Sequence, residues 1–382
     1  MRRNGWSVRA SIRLAWPCYI SVTSLASIIS GIFRTGSRRI RVKVTERRAV
    51  GATGLQLTAL GMGCASLGGL YAPVDAETAI TTLQAALDAG IGYFDAAPMY
   101  GIGRAEHMLG FFLRERVPQA PVVVSTKVGR LMARERPGRP LPPETEKNPL
   151  DSGWHNGLPL REVFDYSYDA IMRSFDDSQQ RMGRARIDML FVHDIGRVTH
   201  ADAAGFHWSA LTKGGGFRAL ADLRDAGIIG GFGLGVNEAE VVLDAMNEAR
   251  LDCTLLAGRH TLLEQNADAL LAKALDEGMA IVIGGVFNSG ILAAGNSGNR
   301  KFNYQDVPQE VARKVDELAA ACAAFDVPLA AAAIQFPFRH PAVTSVLIGA
   351  KHPDRVRQNV GWFEQALPNE LWQALEGRGL IS

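Results

Sequence analysis

An aspartate, a tyrosine, a lysine and a histidine stand in this chain where they could share the movement of one proton. Gly92-Tyr-Phe-Asp95-Ala-Ala-Pro-Met-Tyr100-Gly101, Val-Val-Val-Ser-Thr-Lys127 and Met-Leu-Phe-Val-His193-Asp194 place them at the ends of three successive apolar runs. A free phenol titrates at about 10 and is a poor base at neutral pH. A neighbouring ammonium favours the phenolate and pulls that value down. A carboxylate keeps the lysine charged and in place, and a neutral imidazole can donate a hydrogen bond to the reacting oxygen. Such a set tunes one tyrosine to take or give a proton. Singly, each residue has an ordinary explanation in packing or solvation; four at three neighbouring run ends is the stronger signal.

The elements that must carry these ends are legible in the apolar pattern. Short runs occur at Leu57 to Met62 and near 92–95, 122–126, 188–192, 231–235, 253–257, 280–284 and 344–348. Helical spacing fills most gaps, around 105–115, 165–181, 217–226, 238–249, 266–277 and 309–324, with further helix over 354–378. Asp75 is placed to cap a helix through Ala79, Ile80, Leu83, Ala86 and Leu87 that Gly90 stops. Buried parallel strands alternating with amphipathic helices give an α/β fold, and eight strands favour a closed (β/α)8 TIM barrel. Ahead of it, Gly51 and Gly54 between short runs predict a β-hairpin. Three strand-to-helix connections are long: Gly129 to about Arg161, His193 through Trp208 to Gly216, and Phe287 to about Val307. Loops of that kind lie on the C-terminal face of a barrel, where active sites are built.

Charge divides the chain. Residues 1–50 carry ten arginines and Lys43 against Glu46 alone, so with a net charge of +2 the remainder is acidic. An acidic barrel is a poor binder of nucleic acid. The four cysteines, Cys18, Cys64, Cys253 and Cys322, form no C-x-x-C pair, which points to a reducing, cytoplasmic compartment and no metal. Residues 1–45 are expected to be an extension ahead of the domain 46–382, disordered or a targeting or mis-start segment. An uncharged stretch between Arg13 and Arg34 leaves a membrane anchor open, and Arg2-Arg3 weakly echoes a twin-arginine signal. The barrel itself is not expected to be membrane-embedded. Gly101-Ile-Gly103-Arg-Ala-Glu106 begins like a dinucleotide fingerprint but ends on Glu, which rejects a Rossmann reading.

Phe94-Asp95-Ala-Ala-Pro-Met-Tyr100-Gly101 with Ala105-Glu106, Thr126-Lys127 and Val192-His193-Asp194 resembles the aldo-keto reductase family from about residue 46 to the C-terminus. The resemblance implies a catalytic tetrad of Asp95, Tyr100, Lys127 and His193, and a nicotinamide cofactor lying extended across the barrel mouth. It implies cofactor contacts at Asn237, at Asn288, Ser289, Gly290 and Leu292 over the pyrophosphate, and at Gly349, Arg355, Gln358 and Asn359 around the adenosine. Val236, Ala257, Gly284 and Gly349 depart from the family's usual Ser, Gln, aromatic and Lys. The lost lysine favours NAD over NADP.

Phe164-Asp165-Tyr-Ser-Tyr-Asp169 and Leu255-Leu-Ala-Gly-Arg259-His260 resemble the branch holding D-threo-aldose (L-fucose) 1-dehydrogenases and pyridoxal 4-dehydrogenases. That implies oxidation of a cyclic hemiacetal to a lactone, with the sugar favoured as the commoner assignment. Trp154, His155, Arg259 and His260 are the candidate contacts to this small-molecule substrate. Pyridoxal, a general aldehyde or ketone, and a non-catalytic cofactor-binding regulatory role remain as alternatives. A glycoside hydrolase needs two facing carboxylates, and Lys127 has first claim on Asp95.

Overall fold

The computed structural model describes residues 42–70, 72–138, 153–294, 301–302 and 305–382. All but the last few residues of the expected 1–45 extension, including its uncharged stretch, lie outside the described residues. Among those described, no helix is long and apolar enough to cross a membrane.

Eight parallel strands close into a barrel: β1 Leu60–Gly63, β2 Tyr93–Asp95, β3 Val123–Val128, β4 Met189–His193, β5 Gly231–Val236, β6 Cys253–Ala257, β7 Ala280–Gly284 and β8 Val343–Gly349. Each apolar run of the sequence is one of these strands. Around them lie α1 Ala76–Asp88, α2 Arg104–Phe111, α3 Tyr168–Met182, α4 Gly216–Asp225, α5 Ala239–Glu248, α6 Asp268–Glu277, α7 Gln309–Ala323, α8 Leu329–Gln335, α9 Pro353–Glu364 and α10 Asn369–Gly377. Asp75 caps α1 by accepting from the Thr78 N–H at 2.7 Å, and Gly90 follows it with φ of 87°. Helix α8 and a helix at Ala204–Thr212 carry no clear apolar period and escaped the sequence reading.

Strand parity decides which residues enter the barrel. Tyr93, Val123, Met189, Phe191, Cys253, Leu255, Ala280, Val282 and Leu347 form the inner cluster, whereas Phe94, Val124, Leu190 and Val192 pack outward against the helices. Successive side chains alternate between faces. Asp95 therefore shares the inner face with Tyr93, Lys127 with Val123, and His193 with Met189 and Phe191. The hairpin pairs Arg47–Ala49 antiparallel with Gln56–Thr58. Its Val50 and Leu57 join the inner cluster, so it plugs the barrel at the end where the strands begin.

Two of the long connections contain paired strands among their described residues. Arg130–Ala133 pairs antiparallel with Arg161–Phe164, a small sheet standing at the C-terminal end of β3. Short strands at Lys301–Phe302 and Gln305–Asp306 pair within the later loop.

Candidate active site

Of the four residues expected to handle the proton, Asp95, Lys127 and His193 sit at the C-terminal ends of β2, β3 and β4, and Tyr100 stands on the turn after β2. Lys127 Nζ donates to Asp95 Oδ2 at 2.6 Å and to the Ala96 carbonyl at 2.9 Å. Asp95 Oδ1 accepts from Ser125 Oγ at 2.7 Å. Both oxygens of this carboxylate are thus engaged, which removes it from any glycosidase role. Lys127 Nζ lies 4.6 Å from the Tyr100 ring centre, and the His193 ring stands edge-on to Tyr100 at 6.0 Å. Gly235 makes room for this: a Cβ there would meet Lys127 Cε at 3.3 Å.

Charge in this group follows burial and pairing. Burial works against the Lys127 ammonium, but Asp95 and Tyr100 beside it hold it protonated and raise its pKa. Burial also raises Asp95, against the pull of Lys127 and Ser125. His193 is held well below the usual imidazole range by burial, then by Arg130 and Lys127, so it is neutral. Tyr100 departs from expectation. Burial pushes it up to about 12, and Lys127 opposes this shift without overcoming it. The ammonium alone does not bring this phenol towards neutral pH.

The candidate substrate contacts divide. Trp154 is buried, with its ring 6.0 Å from that of Tyr100 and tilted by 35°. His155 is exposed, and its N–H donates to the Gly69 carbonyl at 3.1 Å. Arg259 is spent on backbone, donating to the carbonyls of Asn237 at 2.7 Å and Gly258 at 3.2 Å. It ties the end of β5 to the end of β6. His260 is buried against Phe336 and His340, with ring centres at 5.2 and 6.2 Å. The structure thus brings Trp154 to Tyr100 and gives His155, Arg259 and His260 other surroundings. Two residues beside the set went unassigned in the sequence: Arg130 and Asp194, paired at 3.3 Å. Their closeness joins the β3 and β4 loops, which no local pattern signals.

On the opposite side of the mouth, the segment after β7 folds into consecutive tight turns. Asn288, Ser289 and Gly290 have φ of 44°, 60° and 97°. The Asn288 side chain is buried, and neither of its amide atoms is bonded among the described residues. The Leu292 side chain is buried in a cluster with Leu262, Leu263 and Leu371, and its N–H donates to the Phe287 carbonyl at 3.2 Å. Beyond this segment, Ser66, Phe287, Gly290, Gly349, Lys351 and Arg355 line a cavity of about 400 Å³, with Asn359 at its wall. Asn359 is also buried with its amide unbonded. Arg355 Nη1 donates to Gln358 Oε1 at 2.5 Å, and both are exposed.

The sequence model of the Aldo/keto reductase family matches residues 59–378. The chain belongs to the aldo/keto reductase family. It is 61% identical to a pyridoxal 4-dehydrogenase of Microbacterium luteolum over 90% of this chain and all of that protein. It is 37% identical to a D-threo-aldose 1-dehydrogenase of a Pseudomonas species over 87% of this chain and 97% of that one. Among solved structures, the holo form of an aldo-keto reductase from Bacillus halodurans superposes with a TM-score of 0.66 at 22% identity, covering 88% of this chain and 97% of that one. That likeness speaks for the fold. As an aldo/keto reductase, the protein is an NAD(P)-dependent oxidoreductase acting on a small molecule.

An aldo/keto reductase must hold its nicotinamide cofactor at the mouth, and the residues here fit one. A buried amide left unbonded is costly. Asn359 offers both a donor and an acceptor to the cavity wall, as an adenine edge requires. Asn288 and the left-handed backbone through Gly290 form a turn able to approach phosphate oxygens. Asn237 is already engaged, donating to the Ala257 carbonyl at 3.3 Å. Two of the family departures, Ala257 and Gly284, face each other in register across β6 and β7. Ser66 lines the same cavity and went unassigned in the sequence, because only folding brings the β1 loop beside the end of β8.

Proposed function

We propose that this aldo/keto reductase oxidises a cyclic hemiacetal to a lactone with NAD, and that pyridoxal is its substrate. The observation that carries the reading is the 61% identity to a pyridoxal 4-dehydrogenase across that protein's whole length. The aromatic wall of Trp154 over Tyr100 supports it, since a planar heteroaromatic ring stacks on such a face. A second reading, a D-threo-aldose as substrate, rests on the 37% relative.

Tyr100 takes the hydroxyl proton of the hemiacetal carbon. Lys127 stabilises the phenolate that accepts this proton, Asp95 fixes Lys127, and His193 donates a hydrogen bond to the substrate oxygen. The bound nicotinamide supplies the acceptor for the hydride that leaves the same carbon. As the C–H pair departs and the proton passes to Tyr100, the carbon–oxygen bond becomes the lactone carbonyl. Asn237, Asn288, Ser289, Gly290, Gly349, Arg355, Gln358 and Asn359 are the proposed cofactor contacts. NAD is preferred because Gly349 offers no cation to a 2′-phosphate and Arg355 is tied to Gln358.

The test is NADH formation with pyridoxal and with a panel of aldoses. Pyridoxal should give the highest kcat/KM, and NADP should serve less well than NAD. Turnover confined to aldoses would replace the substrate by the second reading. Activity only with NADPH and open-chain aldehydes would overturn both.

A further inference from the structure

Beside His193 lies a charged pair that the four-residue set does not use. Asp194 follows it with φ of 47°, in the left-handed region that a non-glycine residue occupies at a cost. This turn brings Oδ2 to 3.5 Å from His193 Nε2. The same oxygen lies 3.3 Å from Arg130 Nη1. Arg130 is buried, with its guanidinium 4.7 Å from the Phe164 ring centre and against Met99 Sδ, next to Tyr100. The other imidazole nitrogen, Nδ1, is buried, and nothing among the described residues bonds it.

We infer that Asp194, neutralised by Arg130, is a positioning residue that holds His193 as the neutral tautomer carrying its proton on Nε2. The inference rests on the tetrad reading of the site. A carboxylate oxygen facing a bare imidazole lone pair repels it, whereas facing an N–H it attracts. Nothing at Nδ1 rewards a proton there. The proton therefore belongs on Nε2, which makes that nitrogen the donor the substrate oxygen needs.

A carboxylate by itself would go too far, since it would also favour a second proton and an imidazolium. Arg130 cancels that pull. Other charged or titratable groups face this cluster from each packed element. They are Lys127 from β3, Tyr100 from the β2 turn, Glu162 from the paired strand behind Arg130, Glu238 ahead of α5, and His200, which faces Arg130 and the Asp194 backbone. Tyr166 donates to the His193 carbonyl at 2.8 Å and meets His200 Nε2 at 2.9 Å, which fixes the backbone under the imidazole.

The experiment is nitrogen-15 NMR of the full chain labelled at histidine, without substrate, with His193 assigned by its disappearance in His193→Gln. In the unsubstituted protein His193 should show the Nε2–H tautomer and should not titrate between about pH 5 and 8. Asp194→Gly tolerates the left-handed backbone and removes the carboxylate. It should mix the tautomers and lower kcat roughly tenfold or more, with KM for NAD unchanged. Asp194→Asn also tolerates that backbone, keeps an acceptor oxygen, and should restore both readouts in large part. Arg130→Met keeps packing on Phe164 without the cation and should lift the His193 titration into the observable window. A proton on Nδ1 in the unsubstituted protein overturns the inference. So does Asp194→Gly with tautomer and kcat unchanged, because Asp194 would then serve only the turn. The tautomer is read without turnover, so a failure of the Tyr100 assignment would show separately, as an active Tyr100→Phe.

Discussion

At the scale of the residue, Tyr100 is held under two opposed influences. Burial drives its phenol up to about 12, and Lys127, 4.6 Å from the ring, draws it down. At neutral pH the phenol is therefore protonated, and oxidation needs the phenolate. The rate of substrate oxidation should accordingly climb as pH rises through the alkaline range, while reduction of the product should weaken over the same range. A pH series of kcat/KM in both directions measures this. Removing the ammonium leaves burial unopposed. In Lys127→Met combined with Asp95→Asn, which avoids a lone buried carboxylate, oxidation at neutral pH should fall roughly a hundredfold or more. Cofactor binding, followed by quenching of protein fluorescence, should persist. A fall of less than tenfold would remove Lys127 from the mechanism.

The turn after β2 shows how a tight approach of backbone presents a side chain. Gly101, Ile102 and Gly103 all have positive φ, and Gly101 lies against the backbone of Gly68. A Cβ on Gly101 would come within 2.4 Å of the Gly68 carbonyl oxygen. The glycines that imitate a dinucleotide fingerprint are there for this close approach and to present Tyr100. Gly101→Ala adds a left-handed alanine, at about 1–2 kcal/mol, to a backbone clash of about 1–3 kcal/mol. Its thermal midpoint should drop by at least about 5 °C, and activity should fall in the folded fraction because Tyr100 moves. Unchanged melting would show that the turn has slack the packing does not reveal. Below this turn, Glu106 of α2 is buried, accepting from Thr126 of β3 at 2.6 Å and pairing with Arg181 of α3, so the strand, the turn and two helices are fixed together.

Over the whole molecule, the two ends of the barrel have different tasks. The end where strands begin is closed by the hairpin, whose Leu57 is fully buried in the inner cluster. The other end carries every titratable group of the proposed chemistry. Leu57→Ala should cost about 2–5 kcal/mol of stability in chemical denaturation. It should leave kcat of the folded enzyme unchanged, because the cavity it creates lies beneath the inner core and not at the mouth. Loss of kcat in step with stability would mean that the two ends are coupled through the barrel.

Sequence by itself determined the strands, most helices, the hairpin and the gathering of Asp95, Tyr100, Lys127 and His193 at the mouth. Those features are written in local periodicity: parity along β2, β3 and β4 fixes that Asp95, Lys127 and His193 all point inward, and barrel closure brings adjacent strand ends together. Contacts between distant segments had no such local signature, and only the tertiary structure decided them. It set Trp154 against Tyr100, folded Asp194 between His193 and Arg130, turned Leu292 into the core, and spent Arg259 on backbone carbonyls. It also decided the balance on Tyr100, because a pKa depends on how completely water is excluded as well as on which charge stands nearby.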